Sequence, residues 1–313
     1  MKTTKAVVLE KPEHLVLTDL VLDEPGESDV VVDIEWSGIS TGTERLLWAG
    51  RMPHFPGMGY PLVPGYESVG RVVEAGSRSG ASVGTRVFVP GARCFGNVRG
   101  LFGGASATVV LPGARALPID ENMGESGVLL ALAATAFHAT NAANVSQPQL
   151  IIGHGVLGRV IARLAVASGV TPVVWETNPE RRVGGIGYSV IDPAADERRH
   201  YEVICDVSGD AGILDTLIQR LSPGGEIVLA GFYDQPLKFD FAPAFMREMR
   251  LRVAAQWQPG DLLAVQQLIA SGQLSLEGLI THRAAAEEAD RAYRTAFSDP
   301  RCLKMILDWR HPS

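Results

Sequence analysis

The stretch Leu150-Ile-Ile-Gly153-His-Gly155-Val-Leu-Gly158 decides the fold of this chain. A short apolar run leads into three glycines with the spacing GxGxxG, which is typical of a strand that turns sharply into a helix. The first glycine allows the tight turn, the second lets a pyrophosphate approach the main chain, and the third lets helix and strand pack closely. Unpaired N–H groups at the start of the helix would face the phosphates. The stretch therefore predicts a dinucleotide site, with a ligand-free glycine turn as the alternative.

An acidic residue follows the next predicted strand at the distance that this glycine pattern requires. Val173–Trp175 is a short apolar run, and Glu176 stands about 20 residues beyond the glycines. A carboxylate in this position accepts hydrogen bonds from an adenosine ribose and repels a 2′-phosphate, which favours NAD over NADP. Arg181 follows closely, and it either lies over the adenine or belongs to the solvated start of a helix.

The predicted cofactor contacts occupy the glycine turn and the ends of later strands. Ser208 and Gly231 follow two further predicted strands, where open parallel sheets bind ligands, although ordinary turns also use these residue types. The predicted NAD-binding set is Gly153, His154, Gly155, Val156, Leu157, Gly158, Glu176, Arg181, Ser208 and Gly231.

The composition is that of a globular protein that does not bind nucleic acid. The 313 residues suit about two domains, and 46% of them are hydrophobic. A net charge of −7 is opposite to the charge that nucleic-acid-binding proteins usually carry. The first residues lack the apolar core of a signal peptide, and the apolar run Gly127–Phe137 is shorter than the ~20 residues of a membrane span. We therefore expect a cytoplasmic protein without a membrane span.

The chain divides into a β-rich first part, a middle part in which strands and helices alternate, and a short return. Short runs of Val, Ile and Leu in the middle are typical of a parallel sheet covered on both faces. The predicted strands are Val30–Trp36, Val69–Glu74, Arg86–Val89, Ala107–Leu111, Leu150–Ile152, Val173–Trp175, Ser189–Ile191, Val203–Asp206, Glu226–Gly231 and Leu303–Leu307. The predicted helices are Ser126–Ala143, Val156–Ser168, Ile213–Leu221, Pro259–Ser271 and Ala284–Phe297. We therefore predict an α/β fold in which a doubly wound parallel domain, residues 122–272, is inserted in a β-rich domain formed by residues 1–121 and 273–313.

Several other segments resemble the medium-chain dehydrogenase/reductase superfamily, and the resemblance covers nearly the whole chain. These segments are Gly65-Tyr66-Glu67-Ser-Val-Gly70, Leu221-Ser-Pro-Gly-Gly225, Leu279-Ile-Thr-His282-Arg283 and the late Lys304. The resemblance implies a Rossmann NAD-binding domain within a GroES-like substrate domain. It also implies a homodimer formed through an edge strand, for which Arg250–Ala254 is the candidate.

Two further segments are similar to a zinc-lacking branch of that superfamily. They are Ser37-Gly-Ile-Ser40-Thr-Gly-Thr-Glu44-Arg45 and Met58-Gly-Tyr60-Pro-Leu-Val-Pro-Gly65-Tyr66-Glu67. This branch oxidises the 3-(1-hydroxyethyl) group of a chlorin to an acetyl group in bacteriochlorophyll biosynthesis, with NAD as hydride acceptor. The resemblance therefore implies an NAD-dependent alcohol dehydrogenase with a chlorin substrate. The alternatives are a quinone or enoyl reductase of the same superfamily and a non-catalytic pigment- or cofactor-binding protein.

The segments that bind zinc in other members of the superfamily depart from that pattern here. Those members use a cysteine where Ser40 lies and a histidine where Tyr66 lies. Serine and tyrosine hydroxyls keep their protons at neutral pH, whereas zinc prefers thiolate and imidazole. We therefore predict no metal, with a rebuilt site of Glu44, Glu67 and His54 as the alternative.

Alcohol oxidation without zinc needs a group that takes the hydroxyl proton and donors that hold the developing oxyanion. The candidates for proton handling are Glu44, Tyr66 and Glu67, and those for binding the oxygen or relaying its proton are Ser40 and Thr43. A tyrosine base would need its pKa lowered from ~10 by a nearby cation. Alternatively, Glu67 only pairs with an arginine such as Arg45 and Tyr66 only lines the pocket.

A loop rich in aromatic residues is the candidate surface for the flat substrate ring. A macrocycle needs a wide apolar pocket with a few polar anchors. The predicted substrate contacts are Trp48, His54, Phe55 and Tyr60. His54 is either a ligand to a central magnesium of the pigment or a solvated loop histidine.

Overall fold

The computed structural model describes residues 2–141 and 146–310 and divides the chain into two compact units. The first unit comprises Met1–Ala131 and Gly278–Ser313, and the second comprises Leu132–Glu277. The sequence predicted boundaries after residues 121 and 272, which lie a few residues earlier in both places.

The first boundary lies later than predicted because a 3₁₀ segment still belongs to the first unit. This segment, Glu121–Leu129, contains Gly127, where a Cβ atom would come within 2.8 Å of both Ile119 and Val69. The predicted helix Ser126–Ala143 therefore begins only at Leu130, and its predicted end at Ala143 lies outside the described residues.

The first part is rich in strands, as predicted, and these strands pair mostly in antiparallel fashion. Its elements are β1 (Thr3–Lys11), β2 (His14–Val21), β3 (Asp29–Ile39), α1 (Thr43–Trp48), β4 (Leu62–Val63), β5 (Ser68–Ala75), β6 (Arg86–Val89), β7 (Arg99–Gly100), β8 (Thr108–Pro112) and β9 (Leu117–Pro118). One sheet has the order β2-β1-β4-β7. The hairpin of β1 and β2 was not predicted from the sequence, because the buried run Val7–Leu9 does not alternate with polar residues.

The middle part forms one parallel sheet with the order β12-β11-β10-β13-β14-β15. Its elements are α2 (Leu130–Thr140), β10 (Leu150–Ile152), α3 (Val156–Ala167), β11 (Val173–Trp175), β12 (Ser189–Ile191), β13 (Tyr201–Asp206), α4 (Leu214–Arg220), β14 (Leu221–Leu229), α5 (Phe241–Met246), β15 (Arg250–Val253) and α6 (Pro259–Ala270). Leu150 pairs with Val173 on one side and Ile204 on the other, so the strand order reverses at β10. This is the doubly wound arrangement that the sequence predicted, and ligands bind at such a reversal.

The last segment returns to the sheet of the first unit. It contributes β16 (His282–Ala285), α7 (Ala289–Ser298) and β17 (Met305–Asp308), and the sheet order is β16-β17-β3-β5-β6-β9, with β8 also paired to β3. The predicted helix Ala284–Phe297 was wrong at its start, because Ala284 and Ala285 pair in parallel with β17. Antiparallel pairing of Met305 with Ile39 brings the end of the chain beside the end of β3.

Within the described ranges, 2–141 and 146–310, no helix combines the length and the apolar character needed to cross a membrane.

Candidate active site and cofactor loop

The glycine turn after β10 has the geometry of a phosphate-binding loop. Gly153 has a φ of 99°, a conformation that favours glycine, and its N–H donates to Trp175 at 2.9 Å. A Cβ on Gly158 would lie 1.9 Å from the Gly153 carbonyl oxygen, so only glycine fits there. Gly155 is the N-cap of α3, and a Cβ there would meet no atom within 4 Å. The start of α3, from Val156 onward, therefore has open space in front of it.

The acid after β11 is tied to this loop. One carboxylate oxygen of Glu176 accepts the His154 N–H at 3.1 Å and the other accepts the Asn178 N–H at 2.8 Å. The neighbouring Arg182 donates to the Glu176 carbonyl at 2.8 Å and pairs with Asp192 at 2.5 Å. Arg182 is therefore held by protein groups. It lies next to the position at which NADP, unlike NAD, would carry a 2′-phosphate.

The side chain of His154 faces the interior of the protein, so a contact of this residue with a cofactor would come from its main chain. Its Nδ1 lies 2.6 Å from the Arg181 carbonyl oxygen, and its Nε2 lies 3.0 Å from the Tyr188 hydroxyl. Its carbonyl accepts the Arg159 guanidinium at 3.1 Å. Burial lowers the pKa of His154 to about 4, so the neutral ring donates from Nδ1 and accepts at Nε2. His154 therefore positions the loop, and the Arg181 main chain shares in this role.

The turns after β13 and β14 meet the glycine loop, as their predicted role requires. The buried Asp206 accepts the Ser208 N–H at 2.9 Å and the Tyr233 hydroxyl at 2.7 Å, and its carbonyl accepts the Gly231 N–H at 3.0 Å. A Cβ on Gly153 would lie 3.5 Å from the main chain of Ser208. The structure thus gathers three predicted positions at one edge of the sheet.

In the first unit, two hydroxyls lie together where β3 ends and β5 approaches. The Tyr66 hydroxyl donates to Ser40 Oγ at 2.8 Å and is also hydrogen-bonded to the Thr43 side chain. Its ring packs edge-on against Phe102 at 5.4 Å. Burial and the neighbouring Glu67 carboxylate raise the pKa of Tyr66 above its usual range. The Tyr66 hydroxyl is therefore a proton donor at neutral pH, and the lowered pKa that a tyrosine base needs is not present.

Glu44 lies behind this hydroxyl pair and is completely buried. One carboxyl oxygen accepts the Ser40 N–H at 3.2 Å, and the other accepts the Tyr293 hydroxyl at 2.8 Å. Burial, reinforced by the charge of Glu67, raises the pKa of Glu44 to about 8. The group therefore titrates near neutral pH.

Glu67 is also completely buried, and its partner is Lys304 rather than the predicted Arg45. The Lys304 ammonium lies 2.5 Å from Glu67 Oε2 and donates to the Ile39 carbonyl at 3.2 Å. A Cβ on Gly38 would lie 2.4 Å from Glu67 Oε2, so glycine makes room for the carboxylate. Burial raises the pKa of Glu67, and Lys304 opposes that effect.

Two residues of this cluster, Lys304 and Tyr293, were not among the sequence-predicted site residues. Lys304 directly precedes the apolar run of β17, and a charged residue beside a buried strand suggests a buried partner of opposite charge. This position was the available signal for Lys304. Tyr293 had no such signal, because an aromatic residue on the apolar face of a helix is ordinary.

The residues at this position do not fit a zinc ion. The Ser40 hydroxyl accepts a hydrogen bond from Tyr66, whose pKa is raised, and Glu67 is neutralised by an ammonium group. The alternative site with His54 is not formed, since that residue is exposed while both glutamates are buried. Across residues 2–141 and 146–310, no three His, Cys, Asp or Glu side chains are grouped as metal ligands.

The predicted substrate residues Trp48, Phe55 and Tyr60 are partly buried aromatic side chains, together called the aromatic surface, and His54 is exposed. Trp48, Phe55 and Tyr60 all pack against the core of the first unit. The Trp48 and Phe297 rings are 5.7 Å apart, and the Tyr60 hydroxyl donates to the Leu47 carbonyl. The Tyr60 hydroxyl is thus engaged by the main chain, while its ring belongs to the aromatic surface.

Comparison with known proteins agrees with this geometry. Residues 26–121 match the family model of the alcohol dehydrogenase GroES-like domain. Over 98% of this chain and 98% of the relative, 57% of residues are identical to the 2-desacetyl-2-hydroxyethyl bacteriochlorophyllide A dehydrogenase of Rhodobacter capsulatus. The dehydrogenase of the same name from Cereibacter sphaeroides is 58% identical over 99% of both chains. The chain belongs to this family of medium-chain dehydrogenases/reductases.

Solved structures of more distantly similar dehydrogenases share the fold. L-idonate 5-dehydrogenase from Escherichia coli superposes with a TM-score of 0.85 at 18% identity and covers 98% of each chain. An E. coli alcohol dehydrogenase in complex with NADH gives 0.82 at 21% identity, covering 98% of this chain and 99% of that one. These comparisons confirm the predicted fold class, a Rossmann domain inserted in a GroES-like domain.

Proposed function

We propose that this protein oxidises the hydroxyethyl group of a bacteriochlorophyllide to an acetyl group, with NAD as the hydride acceptor. The observation that supports this most strongly is 57% and 58% identity, over nearly the full length, to two dehydrogenases named for this substrate. The reaction removes a hydride from the carbinol carbon and a proton from its hydroxyl.

The glycine loop fits a dinucleotide. The open space beside Gly155 leaves room for a pyrophosphate at the start of α3, and the Glu176 carboxylate is held where an adenosine ribose is recognised. When bound there, NAD supplies the acceptor for the hydride. The pairing of Arg182 with Asp192 supports NAD over NADP, because this arginine is already neutralised.

Ser40, Thr43 and Tyr66 are the candidates for holding the reacting oxygen. Because the Tyr66 hydroxyl keeps its proton and donates it to Ser40 Oγ, its oxygen accepts the hydroxyl hydrogen of the substrate. Glu44 is the proposed final proton acceptor, since a pKa of about 8 is close to the working pH at which a general base is most effective. The negative charge of Glu67, which Lys304 favours against the effect of burial, would help to raise that pKa through like-charge repulsion.

The aromatic surface of Trp48, Phe55 and Tyr60 is the proposed support for the flat ring of the substrate. Aromatic rings offer a large apolar contact area with an offset-stacking geometry that suits a macrocycle. The exposed His54 would supply a nitrogen ligand to the central magnesium of the pigment. We also infer a cytoplasmic location, where NAD is available.

The decisive experiment mixes the purified protein with NAD and hydroxyethyl-bacteriochlorophyllide and follows both the pigment spectrum and NADH absorbance. We expect an acetyl pigment and NADH in equal amounts. Pigment binding without NADH would indicate a carrier, and hydride transfer from NADPH to a quinone or enone alone would indicate a reductase. Either result would refute the proposal.

A further inference from the structure

A buried cluster in the first unit contains two carboxyl groups and one ammonium group. Glu44 and Glu67 are both 0% exposed, and Lys304 is 1% exposed. The titratable groups that face Glu44 are Glu67, Lys304, Tyr66 and Tyr293, so the single lysine is the only cation among them. Because Lys304 contacts Glu67, an ionised Glu44 would be an unpaired buried charge. One proton on the two carboxyl groups makes the cluster neutral.

The hydrogen bonds show where such a proton would be accommodated. Each Glu44 oxygen accepts one hydrogen bond, from the Ser40 N–H and from the Tyr293 hydroxyl. Among the described residues, Glu67 Oε1 has no hydrogen-bond partner although it is buried. It is therefore a buried acceptor without a donor, and because the charges of the two carboxyl groups repel each other, one proton on either group stabilises the cluster.

Ser40 connects this cluster to the reacting hydroxyls. Its N–H donates to Glu44, and its Oγ accepts the hydrogen bond from Tyr66. Tyr293, on helix α7, donates its hydroxyl to the other Glu44 oxygen. The Tyr293 ring itself packs against Phe297 at 5.7 Å.

From this geometry we propose that Glu44 and Glu67 form a one-proton store for alcohol oxidation, that is, two buried carboxyl groups that together hold one proton at neutral pH. Tyr293 is the positioning residue whose hydrogen bond stabilises the charged form of Glu44. The inference rests on the proposed function. Each turnover begins with Glu44 ionised: the C–H electron pair leaves with the hydride for NAD, the O–H proton leaves through the hydrogen-bonded hydroxyls of Tyr66 and Ser40, and the C=O bond forms. The proton reaches Glu44 when the Ser40 hydroxyl turns toward the carboxylate that the Ser40 N–H already contacts. Glu44 then returns its proton to solvent before the next turnover.

Tyr293→Phe tests the positioning role. The substitution keeps the ring and removes the donor that stabilises the charged form of Glu44, so the rising limb of kcat against pH should move to higher pH by about one unit or more. KM for the pigment should stay the same. The matched control is Tyr201→Phe, which removes an equally buried hydroxyl that donates to Asp196 at 2.7 Å in the second unit. An unmoved profile in Tyr293→Phe, with only a lower melting temperature, would show that Tyr293 is merely structural.

Infrared spectroscopy tests the store without relying on activity. The wild-type protein at neutral pH should show the C=O stretch of a buried, protonated carboxyl group, and this band should be lost in Glu44→Gln. In the control Glu226→Gln, which removes a carboxylate 3.5 Å from Arg252, the band should persist. Absence of the band from the wild type would overturn this inference even if the protein oxidises the pigment. Conversely, if the band is observed but the protein does not oxidise the pigment, only the proposed function is refuted.

Discussion

At Gly155 the chain leaves open space where any other residue would place a side chain. Its φ of −74° is accessible to every residue type, so the main chain itself does not require glycine there. Gly158 differs, because a Cβ at that position would overlap the Gly153 carbonyl. Of these two glycines, Gly158 is therefore explained by packing, whereas packing does not explain Gly155 and the proposed dinucleotide would.

This contrast makes Gly155→Trp a specific test of the cofactor site. The indole would fill the space in front of α3, and NAD affinity should fall at least a hundredfold while the circular dichroism spectrum stays unchanged. Isothermal titration with NAD measures this directly. Gly260→Trp is the control, because Gly260 also lies in the first turn of a helix with no atom within 4 Å of its Cβ position. Equal NAD affinity in the two variants would contradict the assignment of the loop.

Residues whose role depends on neighbours in sequence could be predicted, and those that depend on distant partners could not. The glycine loop and Glu176 are separated by a regular spacing, so the sequence alone indicated both. Lys304 and Glu67 are 237 positions apart, and Tyr293 and Glu44 are 249 apart. Their association depends on β17 pairing with β3, which no local pattern encodes.

At the scale of elements, the same distinction decides which boundaries were predicted well. The strands β10, β11 and β12 have the predicted bounds, because each is a short apolar run within a regular strand–helix alternation. Ala284 and Ala285 were predicted as helical because alanine has the highest helix propensity. In the structure their main chains pair with β17 instead, so tertiary pairing overrides the local preference.

The edge strand β15 carries a prediction about assembly. It pairs with β14 on one side only, and its outer residues Leu251 and Val253 are 41% and 74% exposed. Helix α5 adds the exposed Phe245 and Met246. Unpaired strand edges with apolar side chains favour association with another strand, and we therefore expect a homodimer in which β15 pairs with its copy.

Val253→Lys should weaken this dimer, because a charge on an edge strand opposes pairing between strands. Light scattering after size-exclusion chromatography should give twice the chain mass of 33.5 kDa for the wild type and a shift towards the monomer for the variant. Val83→Lys, which changes a valine that is 64% exposed in the first unit, is the control and should remain dimeric. A monomeric wild-type protein would refute the assembly.

For the whole molecule, two buried groups with large pKa shifts, Glu44 and His154, contribute to the pH dependence of stability in opposite directions. In the first unit, Glu44 has a pKa of about 8 against a usual value of 4.5, so the folded state binds more protons than the unfolded state between these values. The free energy of unfolding therefore falls as the pH rises from about 4.5 to about 8, and levels off above. In the second unit, His154 has a pKa of about 4 against a usual 6.5, so its effect has the opposite sign and stability is lost as the pH falls from 6.5 to 4.

The two effects oppose each other between about 4.5 and 6.5, and only the Glu44 effect remains between 6.5 and 8. Melting temperatures of the wild type should therefore decrease from pH 6.5 to pH 8. Glu44→Gln cannot titrate, so its curve should be flatter over this interval, and its deficit relative to the wild type should shrink as the pH rises. Glu226→Gln should follow the wild-type slope. If Glu44→Gln instead keeps the full slope, the buried carboxyl group is not the one that titrates, and the charge balance with Glu67 and Lys304 must be assigned differently.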